Sequence, residues 1–283
     1  MSKLIDGQDI ARKINKETAK RVKKLNKRGF FPKLAVVLVG SDPASMSYIR
    51  QKEKVARQVG VDFVLRALPK STTKESFISE LKRLQIDKSL AGLIIQLPLP
   101  EKLFCPEVLN AINPAVDVDF LHEKSMGNLM LATNQITPPT SGSILAILHD
   151  LKISLAGKNI TIVGMGMLVG KPLAMLLINE RASVITCNSA TKDIKEKCLS
   201  ADILISCAGK KDLIRGNMVK PGAVVIDAGF SFFKGKSYGD VNVAEVGKIA
   251  SRVTPTPGGV GPITVALLLR NTVWRAEKKL VKK

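Results

Sequence analysis

The chain has 283 residues, long enough for two modest domains with separate cores, and carries a formal charge of +20 from 44 Lys and Arg against 24 Asp and Glu. No apolar stretch reaches the roughly 20 residues that span a bilayer, and the start, MSKLIDGQDIARKINKE, lacks a secretory-signal pattern, so no membrane association and a cytoplasmic location are expected. Four scattered cysteines without a C-x-x-C pair, and only His122 and His149 beside them, argue for free thiols and against a metal site.

The first predicted element is a basic helix in IARKINKETAKRVKKLNKRG, where Ile10, Ile14 and Val22 space an apolar face among solvated lysines. Three strand candidates follow, KLAVVLVG, VDFVLRAL and AGLIIQL, with the helical stretch PASMSYIRQKEKVARQVG after the first. Residues 113–142 break the alternation with an irregular run rich in Pro, Asn, Gly and Ser, a plausible crossing between two units. Beyond it come NITIVG, SVITCN, DILISC, AVVIDAG and SRVTP, then a strongly helical tail, GPITVALLLRNTVWRAEKKLVKK, that could return to the first unit. Near-continuous apolar strands separated by helices predict α/β domains with parallel sheets covered on both faces.

The charge alone would suit a basic polyanion-binding protein, but aromatics are 4% of the chain and no nucleic-acid reading motif is present. No nucleic-acid partner is therefore expected; positive potential also favours small anionic ligands.

VGMGMLVGKP follows a predicted strand and opens a predicted helix. Gly164, Gly166 and Gly170 form G-x-G-x-x-x-G, one residue longer than the usual dinucleotide fingerprint, yet able to bring backbone N–H groups and a helix N-terminus to a pyrophosphate. Lys171 and Pro172 suit a first helical turn. About 20 residues on, where an NAD site presents a carboxylate, the chain has Asn188, Ser189 and Thr191. Spacing supports a dinucleotide loop and leaves the cofactor open.

Tyr48 and Lys52 are four residues apart and share a helical face. A lysine acts as a base only when burial or a nearby cation lowers its pKa. Gln96 ends an apolar strand, where ligands of parallel sheets gather, and its amide could hold a lysine amine. In DVDF, either Asp117 or Asp119 could accept from an amine-bearing heterocycle. TPTPGGVGPIT fixes a loop whose backbone, through Pro257, Gly258, Gly259 and Pro262, is expected to face a ligand.

Taken in order, VGSDPASMSYIRQK, GLIIQLPLP, INPAVDVD, TPPTSG, LAGKNITIVGMGMLVGKPLAMLL, GDVN and TPTPGGVGPIT resemble the bifunctional methylenetetrahydrofolate dehydrogenase/methenyltetrahydrofolate cyclohydrolase family over nearly the whole chain. The resemblance implies two α/β domains with a cleft between them. Residues 1–120 with 264–283 would bind folate and catalyse; residues 137–263 would be a Rossmann-like dinucleotide-binding domain. It implies oxidation of 5,10-methylenetetrahydrofolate and hydrolysis of the methenyl product to 10-formyltetrahydrofolate, in one-carbon metabolism that feeds purine biosynthesis. It further implies NADP, a polyglutamylated folate and a homodimer. By position, Lys52 matches the catalytic lysine, Tyr48 the tyrosine packed on the folate, and Gln96 the glutamine that orients the lysine. Asp119 matches the aspartate that binds the pterin, and Ser45 the serine of the S-x-x-Y motif. Pro257, Gly258, Gly259 and Pro262 fall in the substrate loop.

The chain departs from the family pattern in four motifs. Met165-Gly166 replace Arg-Ser, and the missing guanidinium is worth about 1.5–3 kcal/mol toward a 2′-phosphate. Asn188 stands where a histidine is usual, Phe120 replaces the glycine of DVDG, and Phe230 follows DAG at a position expected to face the nicotinamide. NADP is therefore expected with NAD possible, and the alternative is a cyclohydrolase with a weakened or NAD-preferring dehydrogenase site.

Overall fold

The structure is a computed structural model that describes residues 3–233 and 236–281. The chain forms two compact units, residues 12–139 with 265–283 (the first unit) and 1–11 with 140–264 (the second).

The first unit holds most of α1 (Gly7–Asn26), then β2 (Lys33–Val39), α2 (Pro43–Val59), β3 (Asp62–Leu68), α3 (Lys74–Leu84) and β4 (Leu90–Ile95). β1 (Lys3–Leu4) precedes them in sequence. The three longer strands make a parallel sheet of order β3-β2-β4. β2 and β4 are buried almost throughout, as the apolar runs predict, while β3 at the edge is half-exposed. After α4 (Pro106–Leu109) and α5 (Glu123–Met130), the body of the last helix, α10 (Val260–Val281), completes the unit. Val265, Leu268, Leu269, Val273 and Ala276 of that helix join Val36, Leu38, Ile49 and Ala56 in one core. Gly92 lets α10 lie close on β4: a Cβ there would stand 2.6 Å from Thr272 Oγ1. The Asn271 amide donates to the carbonyls of Thr137 (2.8 Å) and Val118 (3.3 Å), tying the irregular stretch to the same helix.

The second unit begins with α6 (Pro139–Asp150) and continues as β5 (Asn159–Val163), α7 (Gly170–Asn179), β6 (Ser183–Cys187), α8 (Ile194–Leu199), β7 (Ile203–Ser206) and β8 (Val224–Asp227). A short antiparallel pair, β9 (Ser231–Phe233) and β10 (Lys236–Tyr238), then α9 (Val243–Val246) and β11 (Arg252–Val253) follow. Its parallel sheet has the order β1-β11-β8-β7-β5-β6. Two features differ from the sequence reading. Residues 1–11 group with the second unit because Lys3 and Leu4 pair with Arg252 and Val253, a strand too short to show alternation. The β9–β10 hairpin interrupts the βα alternation after AVVIDAG. Among the described residues, no helix is long and apolar enough to cross a membrane.

Candidate active site

Asp42 caps α2, accepting from the Ser45 N–H at 2.8 Å, and Pro43 opens the first turn. The helix then buries one stripe: Ser45, Ile49, Lys52, Ala56 and Val59. Lys52 thus occupies a position that periodicity assigns to an apolar residue, and it is 7% exposed. Its Nζ donates to Gln96 Oε1 at 3.0 Å. Gln96 follows β4, and its Nε2 donates to the Leu97 carbonyl at 2.8 Å, which fixes the amide with its oxygen toward the lysine. Lys52 Nζ lies 4.6 Å from the centre of the Tyr48 ring.

Electrostatics follow from that placement. Burial pushes the Lys52 amine down to about 8, opposed by the charge of Asp119. Loss of hydration pushes Asp119 up to about 6; Lys52 pulls it back and Asp117 reinforces the rise. Tyr48 is raised by burial and then by Asp119, so its phenol stays protonated. The two carboxylates of DVDF divide their roles. Asp117 is fully buried and accepts the N–H groups of Leu121 (3.2 Å) and His122 (3.0 Å), which shapes the turn. Asp119 makes no such backbone bonds and is left facing the lysine's field. Phe120 adopts a left-handed φ of 59° where a glycine is free to do so, and its ring is buried.

In the second unit the glycine loop joins β5 to α7. Gly164 has φ 103°, and a Cβ there would stand 2.6 Å from the Cys207 backbone. At Gly170 a Cβ would meet the Gly164 carbonyl oxygen at 2.0 Å. Both positions need glycine for close approach. Gly166 is exposed with open space around it, so its side chain is free to vary. The residue before α7, Val169, provides no side-chain cap; the Lys171 N–H goes to the Gly166 carbonyl at 3.1 Å and Pro172 has none, so the first turn leaves the Gly170 N–H for a ligand. Met165 is half-buried in this loop. Asn188 folds on its own turn: its N–H donates to Thr191 Oγ1 and its Oδ1 accepts from Ala190 (2.9 Å each), with Ser189 exposed between them. Phe230 is 59% exposed just before β9.

The proline- and glycine-rich loop TPTPGGVGPIT also lies in this unit. Gly258 has φ 106°, its carbonyl accepts from the Gly7 N–H at 3.1 Å, and Pro262 falls in the first turn of α10. Pro257 is exposed and Gly259 is buried.

Sequence reasoning missed a buried carboxylate network at the C-terminal ends of β7 and β8. Asp240 accepts from Ser206 Oγ, the Ala208 N–H and the Lys210 N–H, each at 2.7 Å. Asp227 accepts from the N–H groups of Gly229, Asp240 and Val241 at 3.0 Å, and burial pushes it up to about 6 against those donors. The only sequence signal was a carboxylate within GDVN and another ending an apolar strand.

One unit thus presents a buried amine held by an amide, and the other a strand–glycine loop–helix built for a pyrophosphate, the arrangement of a nucleotide-dependent α/β enzyme. Residues 5–119 match the tetrahydrofolate dehydrogenase/cyclohydrolase catalytic domain, and residues 138–280 match the NAD(P)-binding domain of the same family. The chain belongs to the tetrahydrofolate dehydrogenase/cyclohydrolase family. It is 43% identical to the bifunctional protein FolD of Halalkalibacterium halodurans over 97% of this chain and 99% of that one. The crystal structure of the bifunctional FolD of Campylobacter jejuni superposes with a TM-score of 0.95 at 36% identity, covering 98% of this chain and 99% of that chain. The Trypanosoma brucei enzyme, solved with NADP and an inhibitor, gives a TM-score of 0.95 at 34% identity over 99% and 98% of the two chains.

Proposed function

We propose that Lys52, oriented by Gln96, is the proton-transfer group with which this bifunctional folate enzyme hydrolyses its methenyl intermediate. The observation that carries the reading is a lysine 7% exposed, bonded to Gln96 Oε1 at 3.0 Å, with its pKa lowered to about 8.

The substrate is 5,10-methylenetetrahydrofolate, oxidised to the methenyl cation and then opened to 10-formyltetrahydrofolate. A bound dinucleotide supplies the hydride acceptor, and the residues that would hold it are Gly164, Gly170 and the N-terminus of α7. They fit a pyrophosphate, because the backbone approaches closely and the Gly170 N–H at the helix start meets no side-chain cap. In the hydrolytic step water adds to the methenyl carbon. Neutral Lys52 accepts one of the two water protons for release, and the other ends on N5 of the pterin as the carbon–N5 bond breaks. Gln96 keeps the amine aimed, since its own amide is anchored to Leu97. Tyr48 supplies a flat, protonated phenol against the pterin, and Asp119 accepts from the pterin's amine-bearing ring. Ser45, whose N–H completes the cap of α2, sets the start of the helix that carries Tyr48 and Lys52.

NADP is the expected dinucleotide, as in the trypanosomal relative. Met165 offers no guanidinium to a 2′-phosphate, so NAD use is the second reading, with weakened hydride transfer as its extreme form. The chain is further expected to act as a homodimer, in the cytoplasm, on folates carrying a polyglutamate tail that its positive charge favours.

Steady-state kinetics of both half-reactions on Lys52→Met test the proposal. Hydrolysis should fall below detection while some dehydrogenase activity survives. Equal loss of both would assign Lys52 to binding or folding. The same assay with NADP and NAD on the unmodified chain ranks the two cofactors.

A further inference from the structure

The motif TPPTSG and the cysteine after β7 have no part in the chemistry proposed above, yet each sends a side chain to the glycine loop. Ser141, in the first turn of α6 and 0% exposed, donates from Oγ to the Val169 carbonyl at 3.1 Å. That carbonyl also takes the Leu173 N–H at 2.9 Å. Cys207 donates from Sγ to the Gly164 carbonyl at 3.0 Å, and among the described residues no backbone N–H competes for that oxygen. The loop is thus held from α6 at its helix end and from the end of β7 at its strand end. Cys207 is itself anchored: its N–H goes to the Val163 carbonyl at 2.8 Å, and the next N–H, of Ala208, goes to Asp240 at 2.7 Å.

These two carbonyls matter for what shares their peptides. A trans peptide is planar, with its C=O and N–H pointing opposite ways. Fixing the Gly164 carbonyl therefore fixes the Met165 N–H, and fixing the Val169 carbonyl fixes the Gly170 N–H. None of the N–H groups from Met165 to Gly170 has a backbone acceptor among the described residues. They are donors in want of an acceptor beyond the C-terminal end of a parallel strand, where such sheets bind their ligands. Gly170 packs so closely on the Gly164 carbonyl that a Cβ would stand 2.0 Å from it, which brings the two ends of the loop together. Burial, and then the charges of Asp240 and Asp227, push the Cys207 thiol up to about 12. It stays protonated and donates, instead of opposing an anion as a thiolate.

We infer that Ser141 and Cys207 are positioning residues for the dinucleotide, aiming the Gly170 and Met165 N–H groups at its pyrophosphate without touching it. The inference rests on the reading of this loop as the dinucleotide site. Because NADP and NAD share the pyrophosphate, the two residues act on both alike, whereas the side chain at position 165 bears on the 2′-phosphate.

Two measurements on the full chain test it: calorimetric titration with NADP and with NAD, and hydrolysis of preformed methenyltetrahydrofolate without dinucleotide. Ser141→Ala and Cys207→Ala should each weaken every dinucleotide that the unmodified chain binds by one common factor, about threefold or more. Both should leave kcat and KM for hydrolysis unchanged. Cys207→Ser keeps a donor in place and should bind as the unmodified chain does. Parallel loss of binding and hydrolysis would give the two side chains a structural role only and overturn the inference. So would an unchanged affinity in either alanine variant, or a loss in Cys207→Ser equal to that in Cys207→Ala. Failure of the unmodified chain to bind either dinucleotide brings down the loop reading itself, and this inference with it.

Discussion

Lys52 shares a helical stripe with Ile49 and Ala56, so its amine has exchanged water for an amide oxygen, a phenol ring and a nearby carboxylate. Below about pH 8 the amine is protonated, and above it the neutral base predominates. Hydrolysis that needs the neutral form should therefore rise about tenfold per pH unit up to that point and then level off. A flat profile from pH 6 to pH 9 would remove Lys52 from the proton transfer. The charge of Asp119 raises the lysine, so Asp119→Asn should move the midpoint of that profile to lower pH. Phe120 poses a separate question of strain against burial. Its left-handed backbone costs about 1–2 kcal/mol, whereas burying a phenyl ring stabilises by about 3–5 kcal/mol relative to a small residue. Phe120→Gly should thus lower the unfolding free energy despite relieving the backbone, as chemical denaturation would measure. At this scale the sequence was only partly legible. Helical spacing put Tyr48 and Lys52 on one face and the strand end offered the Gln96 amide to a lysine amine, but with 44 residues between Gln96 and Lys52 it was the family resemblance that paired them. From residue types alone DVDF left Asp117 and Asp119 equivalent; the resemblance chose Asp119, and the backbone bonds of Asp117 give that carboxylate a structural role.

At the scale of elements, the glycine loop separates backbone need from recognition. Gly164→Ala would force a Cβ against the Cys207 backbone at a positive φ, and should reduce stability by at least about 1–3 kcal/mol. Gly166 faces open space, so Gly166→Ser is expected to leave stability unchanged within about 0.5 kcal/mol. Combined with Met165→Arg, it should lower the KM for NADP with little effect on that for NAD. An unchanged KM would show that other residues hold the phosphate. Strands and helices of the βα pattern were readable because buried parallel strands are continuous apolar runs. β1 was not, since two residues carry no period, and neither was the β9–β10 hairpin, whose runs SFF and KSY are too short to carry one. The Asp227–Asp240 network was hidden for another reason. Its carboxylates bond backbone N–H groups, and a sequence does not show which backbone groups a fold leaves unpaired.

Across the whole molecule the charge of +20 meets substrates that are themselves anions. Dinucleotide pyrophosphate gains from that potential in the encounter and in the bound state, a glutamate-tailed folate would gain likewise, and salt screens such attraction over a Debye length of about 8 Å at physiological ionic strength. The chemistry at Lys52 is less exposed to screening, because its partners are buried and in direct contact. KM values for NADP and for tetraglutamyl folate should therefore rise severalfold between low and high salt, while kcat for hydrolysis changes little. Monoglutamyl folate, with fewer carboxylates, should show a weaker dependence. A polyanion-binding role would give the opposite pattern: nucleic-acid affinity falling steeply with salt, and folate kinetics indifferent to it. Equal salt dependence of mono- and tetraglutamyl KM values would mean that the basic surface does not meet the tail, and that the excess charge serves something other than substrate capture.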